Sequence, residues 1–282
     1  MKTRRQPPLK SNKFIKLLSA PYVIWAIGFI LIPLGMVFYY GLTNADGKFT
    51  LANVTSISSP EHFKALYLAL ILALISTVIC FLLAYPLALI LASVKAKNEH
   101  LIVFIFILPM WMNFLLRTMA WQTLLENNGV INNILGFLHL PTIHIINTPA
   151  AIVFGMVYNF LPFMILPLYN SINKIDKNVI NAARDLGANS FQTLFRVTLP
   201  LSVPGIISGI TMVFVPSLTT FAVSEMLGGG KILLIGNVIE SEFTTNSNQN
   251  LGSGLSIVLM IFIIITMIVT TIYDKEGEGN TL

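Results

Sequence analysis

Few residues of this chain have the types and spacing that catalysis requires. Three glycines precede Lys231, as in some phosphate-binding loops, but the Walker pattern needs a Gly six residues before the Lys and Ser or Thr after it. Those positions hold Glu225 and Ile232. His139 and His144 lie five residues apart, which is the wrong spacing for one face of a helix. We therefore predict no nucleotide site, metal site or cofactor in this chain, and no enzymatic activity of its own.

A second set of polar and aromatic residues is suited to binding a solute. Arg117 falls inside an apolar stretch, where a charge is costly and indicates a functional site by default. It lies near the outer end of that stretch, so it either snorkels to the interface or pairs with an acid such as Glu225 to form an outer gate. Aromatic rings can hold ammonium groups, although rings near span ends also form interfacial belts. The candidate residues of a substrate path are Tyr85, Trp111, Arg117, Tyr158, Asn159 and Glu225.

The longest markedly polar passage between two apolar stretches is NAARDLGANSFQTLFRVTLP, residues 181–200. Asp176 is a typical N-cap for a helix over 176–186, and Gly187 follows its end. Asn189 followed three residues later by Gln192 has the spacing of a capping box, which predicts a second helix. The passage is therefore predicted to be a helix–Gly–helix elbow.

The elbow resembles the EAA loop of permease subunits in ABC-type importers. The family pattern is Glu-Ala-Ala, three residues, Gly, nine residues, Ile, one residue, Leu-Pro. The chain departs from it at Asn181, which removes a carboxylate that could pair with a partner, and mildly at Val197. In that family the loop docks into a cleft on the cytoplasmic ATPase; the residues alone would also fit two amphipathic helices with no partner. The coupling residues that the resemblance implies are Asn181, Ala182, Ala183, Asp185, Gly187, Val197, Leu199 and Pro200.

The composition indicates a membrane protein with several spans. Hydrophobic residues make up 55% of the 282 positions and charged residues 10%, against about 25% charged in soluble domains. The single cysteine, Cys80, excludes an internal disulfide. We predict an all-α, polytopic protein with six transmembrane helices, over 22–40, 63–94, 101–121, 149–169, 201–227 and 252–273. The first is too long for a typical signal peptide, and no cleavage site follows, so we expect it to be retained.

The charge distribution predicts the orientation. Of the 17 Lys and Arg residues, 13 lie in the N-terminal arm, the 95–100 turn, the elbow and the tail. The positive-inside rule places these segments, and both termini, in the cytoplasm. The formal charge of +5 thus reflects topology and not nucleic-acid binding. The outer loops hold six acids against three bases, which favours cations weakly over anions.

These spans suggest an organisation for the whole chain. Residues 1–20 form a cytoplasmic arm, 21–62 the first span and outer loop, 63–273 a five-helix permease core with the coupling loop at 173–200, and 274–282 a cytoplasmic tail. Weaker helices are predicted over 130–138 and 232–243. Gly205 and Gly209 form a small-xxx-small pair, which predicts close helix packing within the chain or against a second permease.

The general resemblance to importer permeases covers 63–273. Over nearly the whole chain the sequence is also similar to the spermidine/putrescine branch of that family, on segments 108–111, 117–121, 128–132, 183–188 and 227–239. The resemblance implies a type I ABC importer permease fold in a prokaryotic cytoplasmic (inner) membrane. It also implies three kinds of partner: a second permease subunit, two ATPase subunits that use ATP, and an extracytoplasmic solute-binding protein.

Several alternatives stay open at this point. Permeases for iron(III), molybdate or sulfate share the elbow and the number of spans. A secondary transporter would usually show buried acids for ion coupling, and none lies in the middle of a predicted span. A membrane enzyme would need a cluster of polar residues, and a purely structural subunit would not need the elbow.

Overall fold

The structure is a computed structural model that describes residues 21–93 and 108–279, with side chains up to residue 272. Within these ranges the chain is almost entirely helical, and its only β-type pairing is one bridge between Thr43 and Phe49. The all-α prediction is confirmed. The N-terminal arm, the 95–100 turn and the first part of the predicted third span lie outside the described residues, so six spans and two cytoplasmic termini stay predictions.

Four described helices are long and apolar enough to cross a membrane. They are α1 (Pro21–Gly41), α3 (Pro60–Ser93), α6 (Pro149–Asn173) and α12 (Gln249–Gly279), the last apolar as far as Ile272. The 34 residues of α3 measure about 50 Å at 1.5 Å per residue. Because the hydrocarbon core is about 30 Å thick, α3 must tilt or extend beyond it. Pro86 lies inside α3 without ending it.

The predicted fifth span, 201–227, is not one helix. The chain forms α8 (Ser190–Leu201) and α9 (Val203–Thr219), which meet at Ser202 with a bend of 67°. A second break at 220–221 separates α9 from the short α10 (Ala222–Gly228). Hydropathy does not detect such breaks, because the side chains on both sides of each break are apolar.

The described part of the predicted third span is also interrupted. A 3-10 turn at Leu108–Trp111 is followed by α4 (Phe114–Leu125). Asn113 caps α4, since its side chain accepts hydrogen bonds from the amides of Leu115 and Leu116. Residues 101–121 are therefore not a single helix over their described part, 108–121.

Four shorter helices complete the described chain, and all but α2, which falls in a predicted loop, lie close to their predicted positions. They are α2 (Ala52–Thr55), α5 (Val130–Phe137), α7 (Lys177–Asp185) and α11 (Ile235–Thr244). The helix expected over 130–138 is confirmed, and the one expected over 232–243 begins three residues later than predicted. Neither lies in one of the apolar helices long enough to cross a membrane.

The core is formed where α3, α6 and α9 pack against one another. Small side chains permit the close approach: a Cβ added to Gly205 would clash with Ser171 and the Pro167 carbonyl, and one added to Gly209 would clash with Met164. The small-xxx-small pair therefore packs within the chain, against α6. Helix α1 packs against α12 at the periphery and otherwise leaves its apolar side chains exposed.

Candidate coupling surface and substrate path

The first half of the elbow is a helix with a defined stop. The Asp176 side chain accepts a hydrogen bond from the Asn178 amide at 2.9 Å and caps α7. At the other end, the Gly187 amide bonds to the Arg184 carbonyl and the Ala188 amide to the Ala183 carbonyl, which is a Schellman motif. Gly187 has φ +86°, in the left-handed region that favours glycine. The helix–Gly arrangement predicted from the sequence is confirmed.

The second half of the elbow is anchored in the core. Asn189 and Gln192 form the predicted capping box reciprocally, at 2.8 and 3.0 Å. The side chains of Thr193 and Thr198 on α8 are buried. Where α8 meets α9, the Ser202 hydroxyl lies 3.0 Å from the Tyr85 hydroxyl of α3. The base of the elbow is thus bonded to α3, one of the three helices that form the core.

The tip of the elbow exposes large apolar side chains. Leu186 is 89% exposed and Phe191 is 71% exposed. The Phe191 ring lies 4.6 Å from that of Phe195, which is half exposed. Adjacent apolar side chains on a surface mark an interaction site. These residues are not among the predicted coupling residues, although two Phe four positions apart on a predicted helix were a usable signal.

The predicted coupling residues divide between tip and base. Those that are exposed are Asn181, Ala182, Asp185, Gly187 and Pro200, whereas Ala183, Val197 and Leu199 are partly buried. Leu199 packs against the hydrophobic core. Within this chain Leu199 therefore anchors the elbow, and the residues available to a partner lie mainly in and just after α7.

Arg117 is buried among neutral partners. Its Nε donates to the Asn159 side-chain oxygen at 2.8 Å, and one terminal nitrogen donates to the Pro109 carbonyl at 2.6 Å. The guanidinium also lies 5.6 Å from the centre of the Tyr158 ring. No described carboxylate lies within ion-pair distance of it, and Glu225 is exposed on α10. Arg117 and Glu225 form no ion pair in this structure, so the predicted gate stays a prediction, and at 6% exposure Arg117 does not snorkel.

The other path candidates fall in different places. Asn159 and Tyr158 join Arg117: the Asn159 amide donates to Thr118 and to the Gly155 carbonyl, and Tyr158 packs edge-on against Trp121. Trp111 is 76% exposed on the 3-10 turn. Tyr85 is buried at the base of the elbow. Arg117, Tyr158 and Asn159 therefore form one cluster, and Tyr85 has a different partner, Ser202, at the base of the elbow.

Comparison with known proteins identifies the family. The profile described as "Binding-protein-dependent transport system inner membrane component" matches residues 84–276. The chain is 40% identical over 268 residues to the "Spermidine/putrescine transport system permease protein PotB" of Haemophilus influenzae, covering 92% of this chain and 93% of that protein. It is also 40% identical over 246 residues to the protein of that name from Escherichia coli (strain K12), covering 84% and 89%.

Solved structures share the fold at low sequence identity. A chain of the "bacterial alginate ABC transporter in complex with alginate pentasaccharide-bound periplasmic protein" superposes with a TM-score of 0.77 at 18% identity, covering 93% of both chains. A chain of the MetNI methionine ABC transporter superposes with a TM-score of 0.57 at 16% identity, covering 78% of this chain and 99% of that one. At these identities the likeness concerns the fold alone.

Proposed function

The chain belongs to the family of inner membrane components of binding-protein-dependent transport systems, and from this premise we propose that its cargo is a polyamine of the spermidine and putrescine class. Membership makes it a membrane-spanning permease component and not an enzyme. The predicted fold, that of a type I ABC importer permease, is confirmed.

The similarity to spermidine/putrescine permeases over nearly the entire chain is the observation that carries the substrate proposal. Polyamines are cations at neutral pH, and the excess of acids over bases in the predicted outer loops suits their approach. Iron(III), molybdate and sulfate are the competing cargoes. The elbow does not distinguish a polyamine permease from permeases for these solutes, because they share it. The anions fit the outer charge less well.

The elbow supports a coupling role towards a separate ATPase. Its tip presents Leu186 and Phe191 to the solvent, while its base is bonded through Ser202 to Tyr85. Motion of a subunit that binds the tip is therefore transmitted to the bend between α8 and α9 and, through α9, to the core. ATP is bound and hydrolysed by that partner, since the chain has no phosphate-binding loop of its own.

The proposed assembly contains a second permease subunit, two ATPase subunits and an extracytoplasmic solute-binding protein in a lipid bilayer. The structural neighbour in complex with a periplasmic protein supports the solute-binding protein as a partner. In the proposed cycle, the loaded binding protein docks on the outer loops. ATP binding then closes the ATPase pair, and the elbow moves with it to open the cavity outward.

The test is uptake of labelled spermidine into vesicles that carry this chain with its transporter components. We expect ATP-dependent uptake that excess putrescine blocks and that excess molybdate or ferric iron leaves unchanged. ATP-dependent transport of a different solute, with no spermidine uptake, would refute the substrate and keep the permease. No ATP-dependent transport of any of these solutes would refute the proposal as a whole.

A further inference from the structure

A groove of about 330 Å³ lies between the end of α9, one face of α11 and the first half of α12. Its lining is mainly apolar and includes Thr219, Phe221, Gly236, Glu240, Phe243 and Leu259. None of the described residues that line it is Lys or Arg. The groove is separate from the Arg117 cluster and from the elbow, and nothing in the proposed coupling mechanism uses it.

The break between α9 and α10 forms one wall of the groove. Non-helical backbone at membrane depth is stable only where protein buries it or where it lines a water-filled cavity. Asn237 on α11 stabilises the non-helical backbone at this break. Its amide nitrogen donates to the Phe221 carbonyl at 3.1 Å, and its oxygen accepts from the Leu234 amide and the Ser224 hydroxyl. The break is therefore a built feature, and it places Phe221 in the groove wall.

The electrostatics of the groove favour a positive charge. Glu240 is partly buried, and one of its carboxylate oxygens accepts a hydrogen bond from the Thr244 hydroxyl at 3.1 Å, which orients the group. The C-terminus of α9 also ends at this groove, and a helix C-terminus carries partial negative charge. Both terms attract a cation, and no lysine or arginine of the lining offsets them.

Two aromatic rings complete the site. Phe221 is 42% exposed and Phe243 is 40% exposed, so both can offer a surface to a ligand in the groove. An aromatic ring attracts an ammonium group over its face, and the attraction strengthens when water is excluded. The apolar remainder of the lining, including Leu259 and Ile239, suits the methylene chain that joins the nitrogens of a polyamine.

We propose that this groove binds a primary ammonium end of the polyamine, with Glu240 as counter-ion and Phe221 and Phe243 as cation–π partners. The inference rests on the proposed function and adds to it a defined subsite on this chain. It places the substrate contact at the break between α9 and α10, where hydropathy alone predicts one uninterrupted span.

The experiment uses the complete importer in proteoliposomes, with saturating ATP and spermidine-loaded binding protein. We expect Glu240→Gln to lower spermidine uptake by about fivefold or more, and Phe243→Leu to lower it by about threefold, as the loss of one charge or one cation–π contact would do. Phe243→Tyr keeps a ring and should retain uptake. Glu126→Gln is the matched control, because it neutralises an exposed acid that is neither in the groove nor among the candidate path residues.

The outcomes separate this site from the proposed function. If Glu240→Gln and Phe243→Leu both take up spermidine within about twofold of the wild-type rate, the site is overturned and the proposed function is not. A wild-type importer that takes up no polyamine would overturn the proposed function and the site with it. If Glu240→Gln does not reach the membrane, the comparison of Phe243→Leu with Phe243→Tyr decides: equal uptake by the two overturns the site, and loss only in the Leu variant supports it.

Discussion

The hydroxyl of Tyr85 lies 3.0 Å from the hydroxyl of Ser202, which is 117 positions later in the chain. Ser202 is the residue at which α8 and α9 bend by 67°. Its hydroxyl also lies 3.0 Å from the Leu199 carbonyl, within hydrogen-bond reach of the preceding turn. One hydrogen bond therefore joins core helix α3 to the bend from which the elbow extends.

Replacing Tyr85 by Phe should weaken the joint without disturbing its packing. A buried hydrogen bond contributes about 0.5–1.5 kcal/mol net, so we expect a lower unfolding temperature and slower ATP-driven uptake. Ser202→Ala should have a similar effect, and the double variant should be no worse than either single one. Tyr67→Phe, on an exposed position of the same helix, is the control. Additive losses in the double variant would show that the two hydroxyls do not act together.

We expect substitutions of Gly187 to be harmful because of its backbone conformation, and not because a side chain would be crowded. An added Cβ would meet nothing within 4 Å, but φ is +86°, and a non-Gly residue in a sparsely populated region costs about 1–3 kcal/mol. We expect Gly187→Asp to abolish uptake with insertion intact, and Gly187→Ala to reduce uptake. Gly136→Ala, equally uncrowded but within helix α5, should behave as wild type. Normal uptake by Gly187→Asp would refute the coupling role of the elbow.

The exposed tip should be needed for holding the ATPase. Burying a Leu or Phe side chain contributes about 1.5–3 kcal/mol, so Leu186→Ser and Phe191→Ser should each weaken co-purification of the ATPase by about tenfold or more. The amount of permease in the membrane should not change, because neither side chain is in the core. Phe49→Ser, at a residue 73% exposed near the Thr43 bridge, should leave co-purification intact. An unchanged amount of bound ATPase in both tip variants would contradict this docking surface.

The elbow could be predicted from the sequence because its determinants are local. Asp176, Gly187, Asn189 and Gln192 act through hydrogen bonds to backbone groups two or three residues away, and each was recognisable from type and spacing. The contacts of the candidate path residues could not be predicted in the same way. Arg117 and Asn159 were each selected as candidates, yet their bond spans 42 positions, and single-sequence patterns carry no information on such pairs.

The helix breaks were missed for a related reason. The chain leaves the helix at 220–221, where Asn237 satisfies the Phe221 carbonyl from a different helix. Without that distant amide, a continuous apolar stretch is the better prediction. At the turn before α4, the N-cap Asn113 bonds to amides two and three residues away and could have been recognised. The apolar residues on both sides nevertheless favoured the prediction of one continuous span.

Arg117 should act as a structural clamp between α4, the 3-10 turn and α6. Lys at this position keeps the charge but loses the planar fork that reaches Asn159 and Pro109 at the same time. We expect Arg117→Lys to destabilise the protein by about 1–3 kcal/mol, seen as a lower unfolding temperature in detergent. Lys64→Arg, an exposed exchange of the same two residue types, should have no effect. Wild-type stability in Arg117→Lys would show that the fork is not needed.

The most direct test of the account measures ATP hydrolysis and labelled spermidine uptake in the same proteoliposomes, with ATP and with a non-hydrolysable analogue. We predict that loaded binding protein stimulates both hydrolysis and uptake, and that the analogue stops accumulation. Accumulation that continues unchanged with the analogue and collapses when an ion gradient is removed would contradict the account, because it would make the chain a secondary transporter.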